Sequence, residues 1–161
     1  MIGPSVVDIQ RVEVLRGPQG PIYGSSAMGG TVKYVTNPPD ANRTEVRIKA
    51  GASGTYHGGP NGNINGVVNI PLLQDKVGLR ISAYYRDDDG YIDRYRIDPK
   101  NYLAADPNGG KQDNVNTYKT YGTRVALLIT PDDTLTITPS FIYQYAKVGS
   151  PFTYDKTLAT L

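Results

Sequence analysis

The chain has 161 residues, a formal net charge of +2 at pH 7 and no cysteine. A chain of this length normally forms one domain, and its small charge gives no indication of a nucleic-acid partner. The lack of cysteine excludes a disulfide framework and a thiolate metal site. No apolar run is long enough for a transmembrane helix, although a membrane β-barrel, whose strands alternate apolar and polar residues, is not excluded. Residues 1–11 do not resemble a signal peptide, so we expect a protein that is not exported or a chain that starts after its natural beginning.

Two short strands are predicted near the N-terminus, over residues 12–15 and 31–36, where β-branched and aromatic residues alternate. The stretch between them contains five glycines and two prolines. A phosphate-binding loop, a nucleophile elbow and a segment of packed irregular loops would each require glycine at this density. The pattern by itself leaves these three alternatives open.

Five longer segments with period-two alternation follow, at residues 44–51, 62–72, 76–87, 117–130 and 134–145. They are roughly 8–14 residues long, whereas soluble strands usually have about 5–6 residues and transmembrane barrel strands about 9–11. Each segment has one apolar and one polar face. The predicted lipid-facing residues are Val46, Ile48, Ile64, Val68, Ile70, Val77, Leu79, Ile81, Val125, Leu127 and Ile129. The opposite face carries Arg47, Lys49, Arg80, Arg86 and Arg124.

The predicted connections alternate in length, with short turns at 73–76 and 131–133 and longer links at 52–61 and 87–116. A soluble domain rarely carries an irregular loop of about thirty residues, whereas outer-membrane barrels combine short periplasmic turns with long extracellular loops.

Tyrosine positions favour the same arrangement. Four tyrosines of the apolar faces lie at strand ends that border the long loops, where a membrane barrel has its aromatic girdle: Tyr85, Tyr121, Tyr143 and Tyr145. The alternative, a soluble β-sandwich, explains neither the loop asymmetry nor the one-sided tyrosines.

Catalytic and metal-binding motifs are not found. His57 is the only histidine, and the stretch around Ser25 has Met28 where a nucleophile elbow requires glycine. Residues 87–90 (DDDG) fit a calcium loop only in part, because Arg96 occupies the position of the bidentate glutamate. A solvated acidic loop is favoured there, although Asp87, Asp88, Asp89 and Asp93 could bind a cation weakly in another geometry. We therefore predict no enzyme, no cofactor and no dedicated metal site.

The glycine-rich region resembles a known family. Residues 8–20 read DIQRVEVLRGPQG and are followed by IYG, AMGG and TVKYVTNP. This closely resembles the end of the plug domain of TonB-dependent outer-membrane receptors, with Gln10 in place of the usual glutamate and Lys33-Tyr34 in place of Asn-Ile. Residues 71–76 and 84–93 also resemble the family's early barrel strands, so the resemblance covers nearly the whole chain. The plug motif residues are Gly17, Pro18, Gly20, Tyr23, Gly24, Gly29 and Gly30.

The resemblance implies an all-β fold: the C-terminal part of a plug domain in residues 1–38, then a partial, unclosed antiparallel transmembrane β-barrel of about five strands in residues 39–161. About five strands cannot close a barrel, since the smallest natural ones have eight. As a free polypeptide the chain is therefore expected to be insoluble or poorly folded.

The implied function is energy-coupled uptake of a scarce nutrient across the outer membrane of a Gram-negative bacterium. Ferric siderophores are the family's commonest substrate, with cobalamin, haem and glycans as alternatives. The implied partners are outer-membrane lipid, a small nutrient ligand such as a metal chelate, and the TonB complex, through a TonB box outside this chain. The competing hypothesis is a soluble β-rich binding module that uses the tyrosine-rich loop 87–116.

The resemblance also suggests roles for individual residues. Glu13 and Arg16 are candidates for charged contacts between plug and barrel wall, with ordinary strand-end charges as the alternative. The polar-face cations listed above would face the lumen and could pair with plug carboxylates. Tyr91, Tyr95 and Tyr102 are candidate ligand contacts in the loop 87–116.

Overall fold

The computed structural model describes residues 7–17, 29–95, 97–98, 101–105, 110–132 and 134–149. Every helix or strand in this part of the chain is a β-strand, which confirms the predicted all-β class. None of these residues forms a helix that could cross a membrane. The strands are β1 (Ile9–Arg16), β2 (Gly30–Thr36), β3 (Glu45–Gly54), β4 (Pro60–Leu73), β5 (Val77–Asp88), β6 (Arg94–Tyr95), β7 (Ile97–Asp98), β8 (Asn101–Ala105), β9 (Lys111–Gln112), β10 (Tyr118–Asp132), β11 (Leu135–Ile137) and β12 (Ser140–Val148).

The two N-terminal strands, β1 and β2, form an antiparallel pair in which Val12 lies opposite Tyr34 and Arg16 opposite Gly30. Gly30 has φ +134°, and a Cβ at this position would lie 2.5 Å from the carbonyl oxygen of Leu15. Only glycine fits such a close approach of two backbones. Both predicted strands are present, and each is longer than predicted.

The long segments form one six-stranded sheet in the order β11-β10-β5-β4-β3, with β12 also paired to β10. Strand β3 lies at one edge and does not pair with β11 or β12, so the sheet is unclosed, as predicted. The fifth predicted segment is divided into β11 and β12 at residues 138–139. The division follows from Pro139, which has no N–H to donate to the ladder, although its carbonyl oxygen accepts from the Leu127 amide at 3.0 Å.

Short turns occur where they were predicted. Between β4 and β5, the amide of Lys76 donates to the carbonyl of Leu73 at 3.1 Å, and Asp75 adopts φ +62°. After β10, the carboxylate of Asp132 accepts hydrogen bonds from the Thr134 and Leu135 amides. Short polar side chains that bond to the backbone just after them are typical of tight turns.

The expectation of an irregular loop over residues 87–116 was wrong. Strand β6 pairs with β9, and β7 pairs with β8, both antiparallel. Local strand pairing satisfies backbone N–H and C=O groups that a long irregular connection would leave to water. The described part of the segment therefore contains two short two-stranded sheets, β6 with β9 and β7 with β8.

The chain divides into two compact units. The first consists of Met1–Arg47, Gly66–Ala83 and Thr123–Ile142; the second consists of Ile48–Asn65, Tyr84–Gly122 and Tyr143–Leu161.

In the first unit the sheet buries its polar face. Asn69 is 0% exposed and Arg80 is 4% exposed, whereas the neighbouring apolar residues Ile70 and Ile81 are 40% and 36% exposed. In the second unit, the apolar Ile48 and Ile64 are likewise exposed. A soluble protein shows the opposite pattern, with its apolar side chains inside. Of the predicted lumen-facing cations Arg80 is buried and Arg124 is half-buried, whereas Arg47, Lys49 and Arg86 are exposed.

Candidate functional site

The N-terminal segment is tied to the polar face of the sheet by a buried ion pair. Arg80 on β5 donates from Nε to one carboxylate oxygen of Asp8 at 2.6 Å and from a terminal nitrogen to the other at 2.7 Å. The side chains are 4% and 0% exposed. Such a two-pronged contact between guanidinium and carboxylate is among the strongest side-chain interactions. Asp8 has φ +67°, a backbone conformation that aspartate tolerates better than most residues.

Further contacts extend this pair into a network. The remaining terminal nitrogen of Arg80 donates to Glu45 on β3 at 3.0 Å. Asn37, which follows β2, donates from its side-chain amide to Asp8 at 2.8 Å and accepts from Arg124 on β10 through its carbonyl oxygen at 3.2 Å. Arg80 on β5 and Arg124 on β10 thus hold Asp8 and Asn37, and Glu45 on β3 supports Arg80. A buried charge is tolerated only with such partners.

The pKa of Asp8 lies below its usual value: burial acts to raise it, but hydrogen bonds from Arg80 and Asn37 outweigh burial. The ionised form is therefore favoured when the segment is bound. Since an unfolded aspartate has a pKa of about 3.9, the contribution of Asp8 is complete above about pH 4 and is lost as pH falls through the lower bound-state value.

We predict that acid weakens the attachment of residues 7–44 to the sheet. An environment-sensitive dye attached to Gln10→Cys in the full-length receptor reports the release of these residues. The urea concentration at which half of them are released is the midpoint, and we call this measurement the release assay. The midpoint is expected to fall as the pH is lowered below about 4. The variant Asp8→Asn should have a lower midpoint with a flatter pH dependence in this range, and an equally steep dependence would contradict the assignment.

The linker, residues 37–44, is held by a buried asparagine. Asn69 on β4 accepts from the Asp40 amide at 3.0 Å and donates to the Asp40 carbonyl at 2.8 Å and to the Arg43 carbonyl. Asn42 in turn accepts from the Asp75 amide at 3.1 Å. One amide side chain thus satisfies three backbone groups, which fixes the path of the chain from β2 to β3.

Gly78 on β5 makes room for the same linker. A Cβ there would lie 2.8 Å from the carbonyl carbon and oxygen of Asp40, which are backbone atoms that cannot rotate away. Beside the linker is a polar cleft of about 470 Å³, lined in part by Arg43, Glu45 and Arg47.

Replacing Asn69 with alanine is expected to destabilise the bound linker by about 2 kcal/mol, because buried backbone groups lose their hydrogen-bond partner. The release assay measures this change. Asn63 is an exposed asparagine of the same strand. The variant Asn63→Ala is therefore the matched control and should leave the midpoint unchanged. Equal midpoints for the two variants would show that Asn69 does not hold the linker.

The structure places the other predicted contact residues as follows. Glu13 pairs with Arg11 at 2.7 Å and with Lys33 at 3.5 Å, so its ion pairs lie within the β1–β2 pair. Arg16 is an exposed residue at the end of β1, and Lys49 is exposed on β3. Arg47 pairs with Glu45, and Arg86 with Asp88 at 2.7 Å. Only Arg80 and Arg124, among the described contacts of this set, reach the N-terminal segment and linker.

Part of the plug motif lies outside the described residues: Pro18, Gly20, Tyr23 and Gly24. Of the others, Gly17 has φ +86° at the end of β1, Gly29 is exposed, and Gly30 allows the close approach to Leu15 described above.

The loop 87–116 presents two exposed tyrosines, Tyr91 and Tyr95. Tyr102 belongs to β8, but its side chain lies outside the described ones. The base of the loop is fixed by buried Asn116, whose side-chain oxygen accepts from the amides of Tyr91 at 2.8 Å and Ile92 at 2.7 Å.

Lys111 supports the loop from the other side. It pairs with Asp113 and with Asp93 at 2.6 Å, and its ammonium lies 5.9 Å from the ring centre of Tyr95. Hydrogen bonds to Asp113 and Asp93 raise the pKa of Lys111. The hydrogen bond from Lys111 in turn lowers the pKa of Asp93. Among the described residues, no group of three or more His, Cys, Asp or Glu side chains could hold a metal ion.

Sequence reasoning gave no role to Asp8, Asn69 and Glu45. Asp8 begins the recognised motif, and Asn69 lies on the polar side of the alternation in residues 62–72. Glu45 alternates with apolar residues on the same face as Arg47. Their position on a face was visible, whereas their partners depend on contacts between residues far apart in the sequence.

Comparison of the sequence with known proteins gives the same family as the motif in residues 8–38. Residues 3–31 match the TonB-dependent Receptor Plug Domain family. The chain is 33% identical over 129 residues to the pesticin receptor of Yersinia pestis, a match covering 80% of this chain and 16% of that protein. It is 27% identical over 130 residues to the iron-regulated outer membrane virulence protein of Vibrio cholerae, a match covering 70% of this chain and 20% of that protein. It is 40% identical over 57 residues to the metal-pseudopaline receptor CntO of Pseudomonas aeruginosa, a match covering 35% of this chain and 8% of that protein.

The chain thus spans at most about a fifth of the length of these relatives. No solved structure matches it. The match of residues 3–31 and the relatives confirm that the chain is a TonB-dependent outer-membrane receptor sequence. The relatives named above are receptors or outer-membrane proteins, in agreement with the expectation that the chain is not an enzyme.

Proposed function

We propose that residues 1–38 form the C-terminal part of the plug and residues 39–161 the first barrel strands of a receptor that imports a scarce nutrient. The observation that carries this proposal is the buried Asp8–Arg80 pair, which joins the plug-matching segment to the polar face of an unclosed sheet. The apolar face of that sheet is exposed, as a lipid-facing surface requires.

The proposed cargo is a ferric siderophore. The names of two relatives, an iron-regulated outer membrane virulence protein and a metal-pseudopaline receptor, support a metal-containing cargo over a glycan. The energy would come from the TonB complex of the inner membrane, acting on a plug segment that precedes the residues described here. Tyr91 and Tyr95 are exposed on a loop with a fixed base, and aromatic rings at such positions suit contact with the apolar and aromatic parts of a chelate.

Iron uptake tests the proposal. Cells carrying the full-length receptor as their only siderophore receptor are supplied with radioactive iron as ferric siderophores of the catecholate, hydroxamate and carboxylate classes. We expect energy-dependent uptake of one class, abolished by a protonophore, and weaker binding of that class by Tyr91→Ala/Tyr95→Ala. The exposed Tyr56→Ala is the matched control. Uptake of none of the classes would exclude a ferric siderophore as cargo.

Whole-cell labelling tests the orientation. The exposed loop residue Gly110 and the turn residue Asp132 lie in connections that belong to opposite rims of an up-and-down barrel. A cysteine at Gly110 is expected to react with a membrane-impermeant thiol reagent on intact cells, and a cysteine at Asp132 is expected to stay unlabelled. The reverse result would invert the topology.

A further inference from the structure

The connection between β3 and β4 touches the long loop that follows β5, backbone to backbone. We call this connection, residues 55–59, the β3–β4 loop. Its chain is turned by a hydrogen bond from the Gly58 amide to the Thr55 carbonyl at 2.9 Å. The amide of Gly59 then donates to the carbonyl of Gly90 at 3.1 Å. Two loops that are distant in the sequence are thus joined directly.

Only glycine permits so close an approach at these positions of the β3–β4 loop. A Cβ at Gly58 would lie 2.8 Å from the carbonyl oxygen of Gly90 and 3.1 Å from the Cβ of Tyr91. A Cβ at Gly59 would lie 2.5 Å from the Cβ of Asp89. These neighbouring atoms belong to the backbone or are bonded directly to it, so they cannot rotate away. A side chain at either glycine would therefore force the two loops apart.

Tyr91 is held by a second set of contacts, from the C-terminal end of the long loop. The buried side chain of Asn116 accepts from the amides of Tyr91 and Ile92, and the amide of Val115 donates to the carbonyl of Ile92 at 2.8 Å. Gly90 is buried against the same side chain, since a Cβ there would lie 2.5 Å from the Asn116 oxygen. The backbone on both sides of Tyr91 is therefore fixed.

The side chain of Tyr91, in contrast to its backbone, is free. Tyr91 is 53% exposed, and its ring and hydroxyl make no ring contact or hydrogen bond within the described part of the chain. The ring of Tyr95, the other described candidate contact, already has the ammonium of Lys111 as a partner. An exposed ring on a fixed backbone suits ligand binding, because the cost of ordering the loop does not then fall on the binding step.

We propose that the β3–β4 loop positions Tyr91 for contact with the cargo, and that Gly59 and Asn116 are the positioning residues. This inference rests on the proposed function, which supplies the cargo. It adds to that function a loop that acts through Tyr91 and needs no cargo contact of its own. The part of the binding surface that contains Tyr91 is then formed before the cargo arrives.

Hydrogen exchange of the full-length receptor in detergent, without any siderophore, measures the positioning itself. The amides of Tyr91 and Ile92 are expected to exchange slowly, because both donate to the oxygen of a buried side chain. Gly59→Ala should make both amides exchange faster. Gly54→Ala is the matched control, since a Cβ at that glycine would meet no atom within 4 Å, and it should leave the exchange unchanged.

Cargo binding is measured by titrating the purified receptor with the ferric catecholate, hydroxamate and carboxylate siderophores of the uptake assay. We expect Gly59→Ala to leave Tyr91 in place about a tenth of the time, which lowers the affinity for the bound class about tenfold. Asn116→Ala should act in the same direction. In the Tyr91→Ala background neither change should lower the affinity further, because a positioning residue acts only through the residue that it positions. Gly59→Ala/Asp89→Gly, which removes the side chain that the new Cβ would meet, should recover part of the affinity.

An equal loss of affinity from Gly59→Ala with and without Tyr91 would overturn the proposal, since it would mean general damage to the receptor. Normal siderophore binding with no difference between Gly59→Ala and Gly54→Ala would reject the positioning and leave the proposed cargo intact. Binding of none of the siderophores, with faster exchange in Gly59→Ala but not in Gly54→Ala, would reject the proposed cargo and support the positioning of Tyr91.

Discussion

Replacing Asp8 with alanine is expected to weaken the attachment of the plug segment by about 3 kcal/mol or more, because the change leaves Arg80 buried with a charge that is only partly balanced. Arg80 is 4% exposed and retains only Glu45, whose carboxylate is shared with Arg47. The release assay in the full-length receptor measures the loss as a lower urea midpoint.

Two variants distinguish the loss of the Asp8–Arg80 ion pair from a general destabilisation of the plug segment. Glu13→Gln removes a carboxylate whose partners Arg11 and Lys33 are exposed, and it should leave the midpoint unchanged. Asp8→Ala/Arg80→Met removes both charges and should recover much of the loss, since an apolar side chain of similar size often replaces a buried ion pair at little cost. If the double variant is no more stable than Asp8→Ala, the loss does not come from the unpaired charge.

This attachment bears on how a receptor of this class would open. Arg80 on β5 and Arg124 on β10 hold Asp8 and Asn37, and Asn69 on β4 holds the linker. Glu13, by contrast, has its ion pairs within the β1–β2 pair. We therefore expect Asp8, Asn37 and the linker to be released together, since their release must break several buried polar contacts at once.

Placing arginine at Leu127 is expected to cost roughly 2–4 kcal/mol of folding free energy in a membrane, as for other charges placed near the middle of a lipid-facing strand. Leu127 lies in the middle part of β10 and on its apolar face. Urea titration of the full-length receptor refolded into lipid vesicles measures the change. Leu79→Arg on β5 is expected to act in the same direction.

The control for this prediction must lie on the polar face and be exposed. Ser82 does not serve, because it is only 4% exposed and a lysine there would lack room. Asn63→Arg on β4 meets both conditions and should change the folding free energy little. If Leu127→Arg and Asn63→Arg are equally tolerated, the apolar face of the sheet does not contact lipid.

The sequence alone determined the class of fold and which residues share a face. Side chains of a strand alternate strictly between its two faces, so the positions of Ile70, Ile81 and Arg80 could be assigned from parity without a structure. The glycine-rich motif was equally informative, because Gly30 is required by a contact with its own partner strand. Turns at residues 73–76 and after Asp132 followed from local composition.

Only the tertiary structure decided the partners. Arg80 pairs with Asp8, 72 residues away in the sequence, and not with Glu13, which belongs to a pair of strands with its own cations. Asn69 holds the linker because β4 lies beside β3 and β5 in the sheet. The strands β6–β9 were missed because each is too short to show a period. Alternation is a local property of the chain, whereas strand order and register bring distant residues together, and that is why the faces could be predicted and the contacts could not.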